Sequence, residues 1–239
     1  MNEHFKYPRL YVPALTDNGK TAPLNSGQAH YLKSVLRMNE GDHIRVFNDS
    51  GGEWIADIEK LGKKEGIATV KEQIRTGANP AKALHLLFPP LKKHRMDFLI
   101  EKSVELGVTD LHPVLTTRTQ VRKINADRIE AQIIEASEQC ERLDIPRLHK
   151  LQDMDKKLAG WDATPQIICA LERDSEIQSA QNGGEAFLIG PEGGFDDRER
   201  GLLLDSGKIQ AVSLGDRILR AETAALYCLS LAGAAKNPE

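Results

Sequence analysis

Two glycine-bearing segments near the end of the chain carry the residue types that could bind a ligand and act on it. The first reads AFLIGPEGGF over residues 186–195, so an apolar run leads directly into a turn with three glycines. If the run is a strand of a parallel sheet, the turn lies at the carboxyl edge, where α/β proteins bind ligands. Glycine in such a turn lets the backbone approach a ligand closely. Asp196 and Glu199 match a capping pair for a following helix.

The second segment reads AVSLGDRILRAETA over residues 211–224 and repeats the order of strand, glycine turn and helix start. Gly215 permits close approach of a ligand. Ile218 and Leu219 are apolar loop residues that could pack against an aromatic ring, and Arg220 and Glu222 place opposite charges beside the helix start. An alternative interpretation is that these two charges form an ordinary surface ion pair, which contributes less than about 1 kcal/mol.

The spacing of the glycines argues against two familiar phosphate-binding motifs. Gly190, Gly193 and Gly194 do not form G-x-G-x-x-G, and no Gly-Lys-Ser/Thr follows, so neither a dinucleotide fingerprint nor a P-loop is present. A nicotinamide-dependent oxidoreductase is therefore disfavoured. For either segment alone, a tight turn without a ligand is a good alternative, whereas two such turns after neighbouring strands favour a ligand site.

The elements that must position these turns fall into two regions. Over the first 75 residues, short apolar or alternating stretches recur between turn residues, which is typical of a small β-barrel or sandwich. The predicted strands lie at residues 9–12, 43–47, 53–58 and 66–70, with one short helix at residues 28–37. The TGANP stretch at residues 76–80 predicts a linker.

After residue 80 the pattern changes to strands that alternate with helices, which indicates an α/β domain on a parallel sheet. Continuous apolar runs predict strands at residues 83–88, 110–115, 166–170, 186–190 and 209–214. Helical periodicity predicts helices at residues 94–106, 197–206 and 222–235 and one with the apolar stripe Ile129, Ile133, Ala136 and Cys140, ending at Pro146. We therefore predict two domains, residues 1–75 and 76–239.

Composition excludes several broad classes of protein. Of the 239 residues, 40% are hydrophobic and 28% are charged, as in ordinary globular proteins. No apolar run approaches the ~20 residues that cross a bilayer, and the first residues lack the apolar core of a signal peptide, so we expect a cytoplasmic protein with no membrane partner. Cys140, Cys169 and Cys228 form no Cys-x-x-Cys pair, which argues against disulfides and a zinc cluster. We expect no metal.

The net charge of −3 disfavours a nucleic-acid partner by itself, but the charges are unevenly distributed. Residues 1–123 contain 19 basic and 14 acidic residues, whereas residues 124–239 contain 13 basic and 21 acidic ones. A polyanion would therefore contact the first half of the chain. The basic candidates there are Arg9, Arg37, Lys92, Lys93, Arg95, Arg118, Arg122 and Lys123. Taken alone, each of them is more often a solvated surface charge.

Together, the two C-terminal segments resemble the bacterial 16S ribosomal RNA uridine N3-methyltransferases of the SPOUT superfamily. The resemblance rests on GPEGGF at residues 190–195 and LGDRILRAETA at residues 214–224. Weaker similarity in the same order extends over nearly the whole chain, at residues 9–12, 30–37, 105–108, 117–118 and 138–142.

The resemblance implies a PUA-like β-barrel that helps hold RNA, followed by an α/β domain with a deep trefoil knot. It also implies S-adenosyl-L-methionine (SAM) as cofactor, bound by the knot loops, and a homodimer whose partner completes the site. Carried over by position, the cofactor-binding residues would be Leu171, Glu172, Ile189, Gly190, Pro191, Glu192, Gly193, Gly194, Leu214, Gly215, Arg217, Ile218, Leu219, Thr223 and Ala224.

The implied reaction is methylation of N3 of a uridine in 16S rRNA, on the RNA or on the small ribosomal subunit. Arg220 is then the candidate for stabilising the uracil oxyanion, because a guanidinium stays charged and donates hydrogen bonds in a fixed plane. Glu222 is the proton acceptor, an orienter of Arg220, or a first-turn carboxylate stabilised by the helix dipole.

Among the basic residues of the first half, the predicted RNA-binding residues are Arg9, Arg37, Arg118, Arg122 and Lys123. The alternative functions are methylation of another RNA or of a ribose hydroxyl, and a non-catalytic RNA-binding role in ribosome assembly.

Overall fold

The structure, a computed structural model, describes residues 3–15, 20–48, 52–77, 83–162, 164–171 and 184–236. The chain forms two compact units. The first unit comprises Met1–Pro80 and Ser137–Ile145, and the second comprises Ala81–Ala136 and Pro146–Glu239. Among the described residues, no helix combines the length and the apolar character needed to cross a membrane.

A five-stranded mixed sheet forms the first unit. Its strands are β1 Arg9–Tyr11, β2 Thr21–Leu24, β3 His43–Asn48, β4 Gly52–Leu61 and β5 Gly66–Thr76. The strand order is β1-β3-β4-β5-β2, with β1 parallel to β3 and the other pairings antiparallel. Alternate residues of these strands, such as Ile44 and Val46 or Ala56 and Ile58, form the buried core, because successive strand residues face opposite sides of a sheet.

The segment between β2 and β3 differs from the prediction of one helix at residues 28–37. Helix α1 spans Ser26–His30 and begins with a capping box formed by Asn25 and Gln28. The chain then continues as a π-helical turn, Tyr31–Val35. Arg37 has a positive φ of 59°, a conformation that is incompatible with a continuing right-handed helix. Strand β2 is not predicted by the sequence pattern, since proline is depleted in strands and β2 contains Pro23.

A buried carboxylate lies at the centre of the first unit. Glu53 on β4 is 0% exposed and accepts hydrogen bonds from Arg9 at 2.9 Å, Arg45 at 3.3 Å and Arg75 at 3.0 Å. The Arg9 guanidinium also lies 3.5 Å from the centroid of the Phe47 ring. Hydrogen bonds from three guanidiniums therefore offset the cost of removing the Glu53 carboxylate from water.

Residues 137–145 belong to the first unit, whereas the sequence analysis places them in the second domain. Arg9 donates to the main-chain oxygens of Ser137 and Arg142, at 2.9 and 2.7 Å. Arg75 donates to the main-chain oxygen of Glu141 at 2.7 Å. These contacts join parts of the chain that are far apart in sequence, so no local pattern predicts them.

A parallel sheet forms the centre of the second unit. Its strands are β6 His85–Phe88, β7 Asp110–Leu115, β8 Arg147–Leu148, β9 Gln152–Asp153, β10 Ile167–Ala170, β11 Ala186–Leu188 and β12 Ile209–Val212. The order is β12-β10-β11-β6-β7-β8, and β9 pairs with the end of β7. Every pairing is parallel.

Helices cover this sheet, which confirms the predicted α/β class. They are α2 Lys93–Glu105, α3 Ala126–Gln139, α4 Met154–Ala159, α5 Asp197–Asp205 and α6 Ala221–Lys236. Strand residues such as Leu87, Ile167 and Leu188 form one buried cluster with Leu158 of α4 and Leu203 of α5. Strands of this kind read as continuous apolar runs because helices pack on both faces of such sheets.

Helix α3 ends at Gln139, before the end that Pro146 predicts. Glu141 has a positive φ of 62°, and left-handed residues of this kind commonly end helices. Arg142 therefore lies outside the helix on which the sequence analysis places it. The sequence pattern also does not predict β8, β9 or α4, because these elements are too short to show a clear period.

The turn between β11 and α5 has the local structure that the sequence predicts. Asp196 and Glu199 form a capping box, in which each side chain accepts from the other residue's main-chain N–H. Gly194 has a φ of 68°, in the left-handed region that other residues avoid. Glu199 also accepts from the main-chain N–H of Thr117 at 2.7 Å, so the turn is tied to the loop that follows β7.

We expect Glu53→Ala to lower the free energy of unfolding of the first unit by about 3–5 kcal/mol, because Arg9 and Arg45 would stay buried without their carboxylate. Urea denaturation followed by fluorescence measures this change. Glu72→Ala, at an exposed position of β5, is the matched control, with an expected change within about 0.5 kcal/mol. Equal effects of the two substitutions would contradict the role of Glu53.

Gly194→Ala is expected to destabilise the protein by about 1–2 kcal/mol, because alanine is strained in the left-handed region. A Cβ at this position meets no atom within 4 Å, so the cost is conformational rather than steric. Gly201→Ala, in the interior of α5 and equally unobstructed, should instead stabilise by roughly 0.5–1 kcal/mol. Chemical denaturation of both variants tests this opposite sign.

Candidate functional site

A cavity of about 330 Å³ lies at the carboxyl ends of β10 and β11 in the second unit. Its volume is at the lower end of the range for small-molecule sites. The walls come from the end of β10, the turn after β11, the loop before α6, and side chains of α5 and of the loop after β7. The lining residues are Arg118, Ala170, Leu171, Ile189, Gly190, Pro191, Glu192, Gly193, Gly194, Phe195, Arg200, Ile218, Leu219, Ala221 and Ala224.

Two glycines of the turn at residues 189–195 lie close to neighbouring side chains. A Cβ on Gly190 would lie 2.9 Å from the ring of Phe195, and a Cβ on Gly193 would lie 3.2 Å from the Cβ of Arg118. A side chain at position 190 would therefore displace the buried Phe195 ring, and one at position 193 would crowd Arg118. This steric constraint adds to the access for a ligand that the sequence analysis proposes for the same residues.

Arg118 connects the loop after β7 to this turn. Its Nη1 donates to the main-chain oxygen of Gly193 at 2.7 Å and to that of Phe195 at 3.4 Å. Arg118 and Arg200 both line the cavity. The cavity thus combines apolar side chains, main-chain groups of a glycine turn and two guanidiniums, which suits a ligand with a flat apolar part and a carboxylate.

Arg95, on α2, joins the turn after β11 to the start of α6. Its Nη1 donates to Glu192 Oε1 at 2.9 Å, and its Nε lies 3.6 Å from Glu222 Oε1. Glu222 is 8% exposed, and its Oε2 is buried without a hydrogen-bond partner among the described residues. Arg220 is exposed. Within the part of the chain that the structure describes, Glu222 pairs with Arg95, and the surface ion pair with Arg220 considered from the sequence is not formed.

The cysteines do not supply a nucleophile to this cavity. Cys169 and Cys228 are buried free thiols. Burial raises the pKa of Cys228 to about 12 and also raises the pKa of Cys169, so both stay protonated near neutral pH.

Most of the predicted cofactor-binding residues lie together. Ten of them line the cavity, namely Leu171, Ile189, Gly190, Pro191, Glu192, Gly193, Gly194, Ile218, Leu219 and Ala224. Leu214, Gly215, Arg217 and Thr223 belong to the same loop and helix start but do not line it. Glu172 lies outside the described residues. Gly215 has a φ of 105°, so it shapes the loop through its backbone conformation.

The predicted RNA-binding residues have different environments. Arg37, Arg118, Arg122 and Lys123 are exposed, and Arg118 also lines the cavity. The prediction for Arg9 is corrected, because Arg9 is only 6% exposed and its guanidinium is engaged by Glu53 and by main-chain oxygens. It therefore has no donor directed at an RNA phosphate.

Sequence reasoning missed several residues of this region. Ala170, Phe195, Arg200 and Ala221 line the cavity, and Arg95 bridges two of its elements. Phe195 and Ala221 lie inside the two C-terminal motifs, and Ala170 directly precedes the predicted residue Leu171, so including every motif residue and one flanking position would have found all three. Arg95 and Arg200 carry no such signal, because they reach the site from helices in other parts of the chain.

Two family models match the chain. One is described as an RNA methyltransferase domain and matches residues 78–233. The other is described as an RNA methyltransferase PUA domain and matches residues 24–71. Together they cover both units, and the first alone spans more than half of the chain.

Whole-chain comparisons agree with these models. Ribosomal RNA small subunit methyltransferase E of Rickettsia conorii is 33% identical over 236 residues, which cover 94% of each chain. The crystal structure of the enzyme of that name from Neisseria gonorrhoeae, bound to S-adenosyl methionine, is 30% identical with a TM-score of 0.79 and covers 94% of this chain and 95% of that one.

A Legionella pneumophila protein whose structure was solved in complex with SAM is also 30% identical, with a TM-score of 0.82 over 96% of this chain and 98% of that chain. The similarity thus extends through both units and includes the glycine turns that form the cavity. This chain therefore belongs to the ribosomal RNA small subunit methyltransferase E family.

Proposed function

We propose that this protein uses SAM to methylate N3 of one uridine in 16S rRNA, with the RNA or the small ribosomal subunit as substrate. The observation that carries the proposal is the cavity between the turn at residues 189–195 and the loop at residues 218–224. Its position at a carboxyl edge of a parallel sheet is typical of ligand sites. The assignment to N3 of uridine rests on the motif resemblance in residues 190–195 and 214–224.

The lining residues fit the chemical parts of SAM. Leu171, Ile189 and Leu219 would contact the adenine and ribose, and the main-chain groups of the glycine turn would supply hydrogen bonds. The guanidiniums of Arg118 and Arg200 would pair with the carboxylate. SAM supplies an electrophilic methyl group when it is bound.

Arg220 is proposed to act on the uracil base. It is the last residue before α6 and is exposed, so its guanidinium is accessible to RNA. Removing the proton from uracil N3 leaves an anion whose charge is shared by N3 and the flanking carbonyl oxygens O2 and O4, and a guanidinium beside such an oxygen stabilises that charge. The same charge is what makes N3 a nucleophile.

Glu222 is proposed to act with Arg95 as a positioning residue. Arg95 contacts Glu192 on the turn and Glu222 on α6, so one guanidinium fixes the distance between the two elements that enclose the cavity. Glu222 is buried and therefore shielded from bulk water, which strengthens its ion pair with Arg95. A catalytic site depends on such support because small displacements of reacting groups reduce the rate strongly.

RNA contact and assembly complete the proposal. Arg37, Arg118, Arg122 and Lys123 would neutralise phosphates through salt-sensitive contacts. We expect a homodimer, which would also cover the side chain of Ile218, a cavity residue that is 64% exposed in the single chain. The trefoil knot and a cytoplasmic location, where 16S rRNA is made, are parts of the same proposal.

The function is tested by incubating the protein with isotope-labelled SAM and with small ribosomal subunits, or their 16S rRNA, from cells that lack the enzyme. We expect one methyl group per RNA, mapped by mass spectrometry to N3 of a uridine. A methyl group on a ribose or on another RNA would assign the protein to a different methyltransferase activity. Failure to bind SAM in calorimetry would reject the proposal.

Arg220→Ala is expected to lower kcat by about 10²–10³-fold, the loss typical of removing one oxyanion donor, while SAM affinity changes by less than about threefold. Arg220→Lys is the control that retains the charge and loses the planar donors; partial recovery of kcat in this variant is expected. Full activity of the alanine variant would exclude the proposed role.

Arg95→Gln and Glu222→Gln are each expected to weaken SAM binding by roughly tenfold, or about 1.4 kcal/mol. Because both residues act through the same contact, the double variant should be no worse than either single one. Calorimetry measures the SAM affinity of the unaltered protein, the two single variants and the double variant. Additive losses would show that the two residues act independently and would contradict the shared positioning role. Loss of turnover in Glu222→Gln with unchanged SAM affinity would instead make Glu222 the proton acceptor.

A further inference from the structure

Three histidines and one aspartate cluster in the second unit, away from the cavity described above. His85 is the first residue of β6, Asp110 and His112 are the first and third residues of β7, and His149 follows β8. His85 lies opposite Asp110 in the parallel pairing of β6 with β7. The cluster is therefore at the amino end of these strands, whereas the cavity is at the carboxyl edge of the sheet.

Three of these residues have the geometry of a metal-ligand set. His85 Nδ1 lies 3.1 Å from His112 Nε2 and 3.7 Å from Asp110 Oδ2. One donor atom from each residue lies within 4.8 Å of the others. Donor atoms at about 2.0–2.1 Å from a tetrahedral Zn²⁺ are about 3.3 Å apart, and the distances from His85 Nδ1 to His112 Nε2 and to Asp110 Oδ2, 3.1 and 3.7 Å, bracket that value.

The surroundings hold this set in place. Asp110 Oδ1 contacts His149 Nε2 at 2.7 Å, and the Thr109 hydroxyl donates to Asp110 Oδ2 at 2.9 Å. The rings of His112 and His149 stack with centroids 3.9 Å apart. Outer hydrogen bonds of this kind orient metal ligands in known sites.

Burial leaves an entry path for an ion. His112 is 3% exposed, whereas the side chains of His85 and Asp110 are each 17% exposed. Of the two ring nitrogens of His112, Nε2 makes the contact with His85, and Nδ1 has no hydrogen-bond partner among the described residues. The ring packs against His149 and Trp161, but its buried polar atoms make a single hydrogen-bond contact within the described part of the chain.

We propose that His85, Asp110 and His112 bind a divalent transition-metal ion, with Zn²⁺ as the expected occupant and solvent completing the coordination. Two imidazoles and one carboxylate are donors that suit zinc and its neighbours rather than Mg²⁺ or Ca²⁺. The ion would join β6 to β7 at the amino edge of the sheet, whereas the cavity lies at the carboxyl edge. The expectation of no metal, drawn from the cysteines, did not consider this histidine and carboxylate set.

The positive charge of Lys157 lies near this cluster and would repel a bound dication. Its ammonium lies 4.9 Å from the centroid of the Trp161 ring, and that ring contacts His85 and His112 edge-on at 5.2 and 5.5 Å. Replacing Lys157 by glutamine removes a positive charge beside the site, so it should tighten binding of a dication. If the cluster is held by hydrogen bonds alone and binds no metal, Lys157→Gln has no metal affinity to increase.

The proposal is tested on the full-length, tag-free protein, stripped with a chelator and titrated with Co²⁺ and then Zn²⁺ at pH 7.5. We expect one Co²⁺ per chain, with the visible absorption of a four- or five-coordinate ion, displaced by one equivalent of Zn²⁺. Asp110→Asn and His85→Asn should weaken binding at least tenfold, and Lys157→Gln should strengthen it. His94→Asn, at an exposed position of α2, is the matched control and should bind as the unaltered protein does.

Melting curves in chelator verify that each variant is folded, and variants of the buried His112 are avoided for that reason. Absence of stoichiometric Co²⁺ binding overturns the proposal, as does binding that Asp110→Asn and His85→Asn leave intact or that His94→Asn removes. None of these measurements uses SAM or RNA, so the outcome is independent of the proposed function.

Discussion

Strand β10 pairs in parallel with β11 on one side and with β12 on the other. The candidate site depends on this arrangement. Parallel strands end at the same edge of a sheet, so the segments that follow β10, β11 and β12 emerge side by side. The first residue after β10, the turn after β11 and the loop that leads from β12 to α6 all contribute to the cavity. In an antiparallel sheet, successive loops would alternate between the two edges.

Contacts made by arginine side chains position loops and side chains that strand pairing does not hold. In the second unit, Arg95 contacts glutamates from two elements, and Arg118 donates to main-chain oxygens of the turn. In the first unit, Glu53 collects three arginines. Glu53 and Glu222 are buried, so Coulomb attraction between these carboxylates and the planar guanidiniums beside them is stronger than in water. Of the arginines that the sequence suggests as RNA contacts, Arg9 is buried and structural, whereas Arg37 and Arg122 are exposed.

The two edges of the second unit's sheet have different chemistry. The carboxyl edge combines glycine turns, apolar side chains and guanidiniums, whereas the amino edge holds imidazoles around one carboxylate. The first set suits a nucleoside with a charged tail, and the second suits a metal ion. Because the sheet separates them, the proposed ion would act on the stability of β6 and β7 rather than on methyl transfer.

Features that depend on neighbouring residues could be predicted from the amino-acid sequence alone. Apolar runs predicted the α/β class, the 186–195 segment predicted the turn with its Asp196 and Glu199 capping box, and the two C-terminal motifs located most of the cavity wall. Three features became apparent only in the folded chain: residues 137–145 belong to the first unit, Arg9 is buried, and Arg95 joins Glu192 to Glu222. Periodicity, capping and glycine conformation act over a few residues, whereas these contacts follow from the strand order and from side chains brought together by distant elements, which no local pattern encodes.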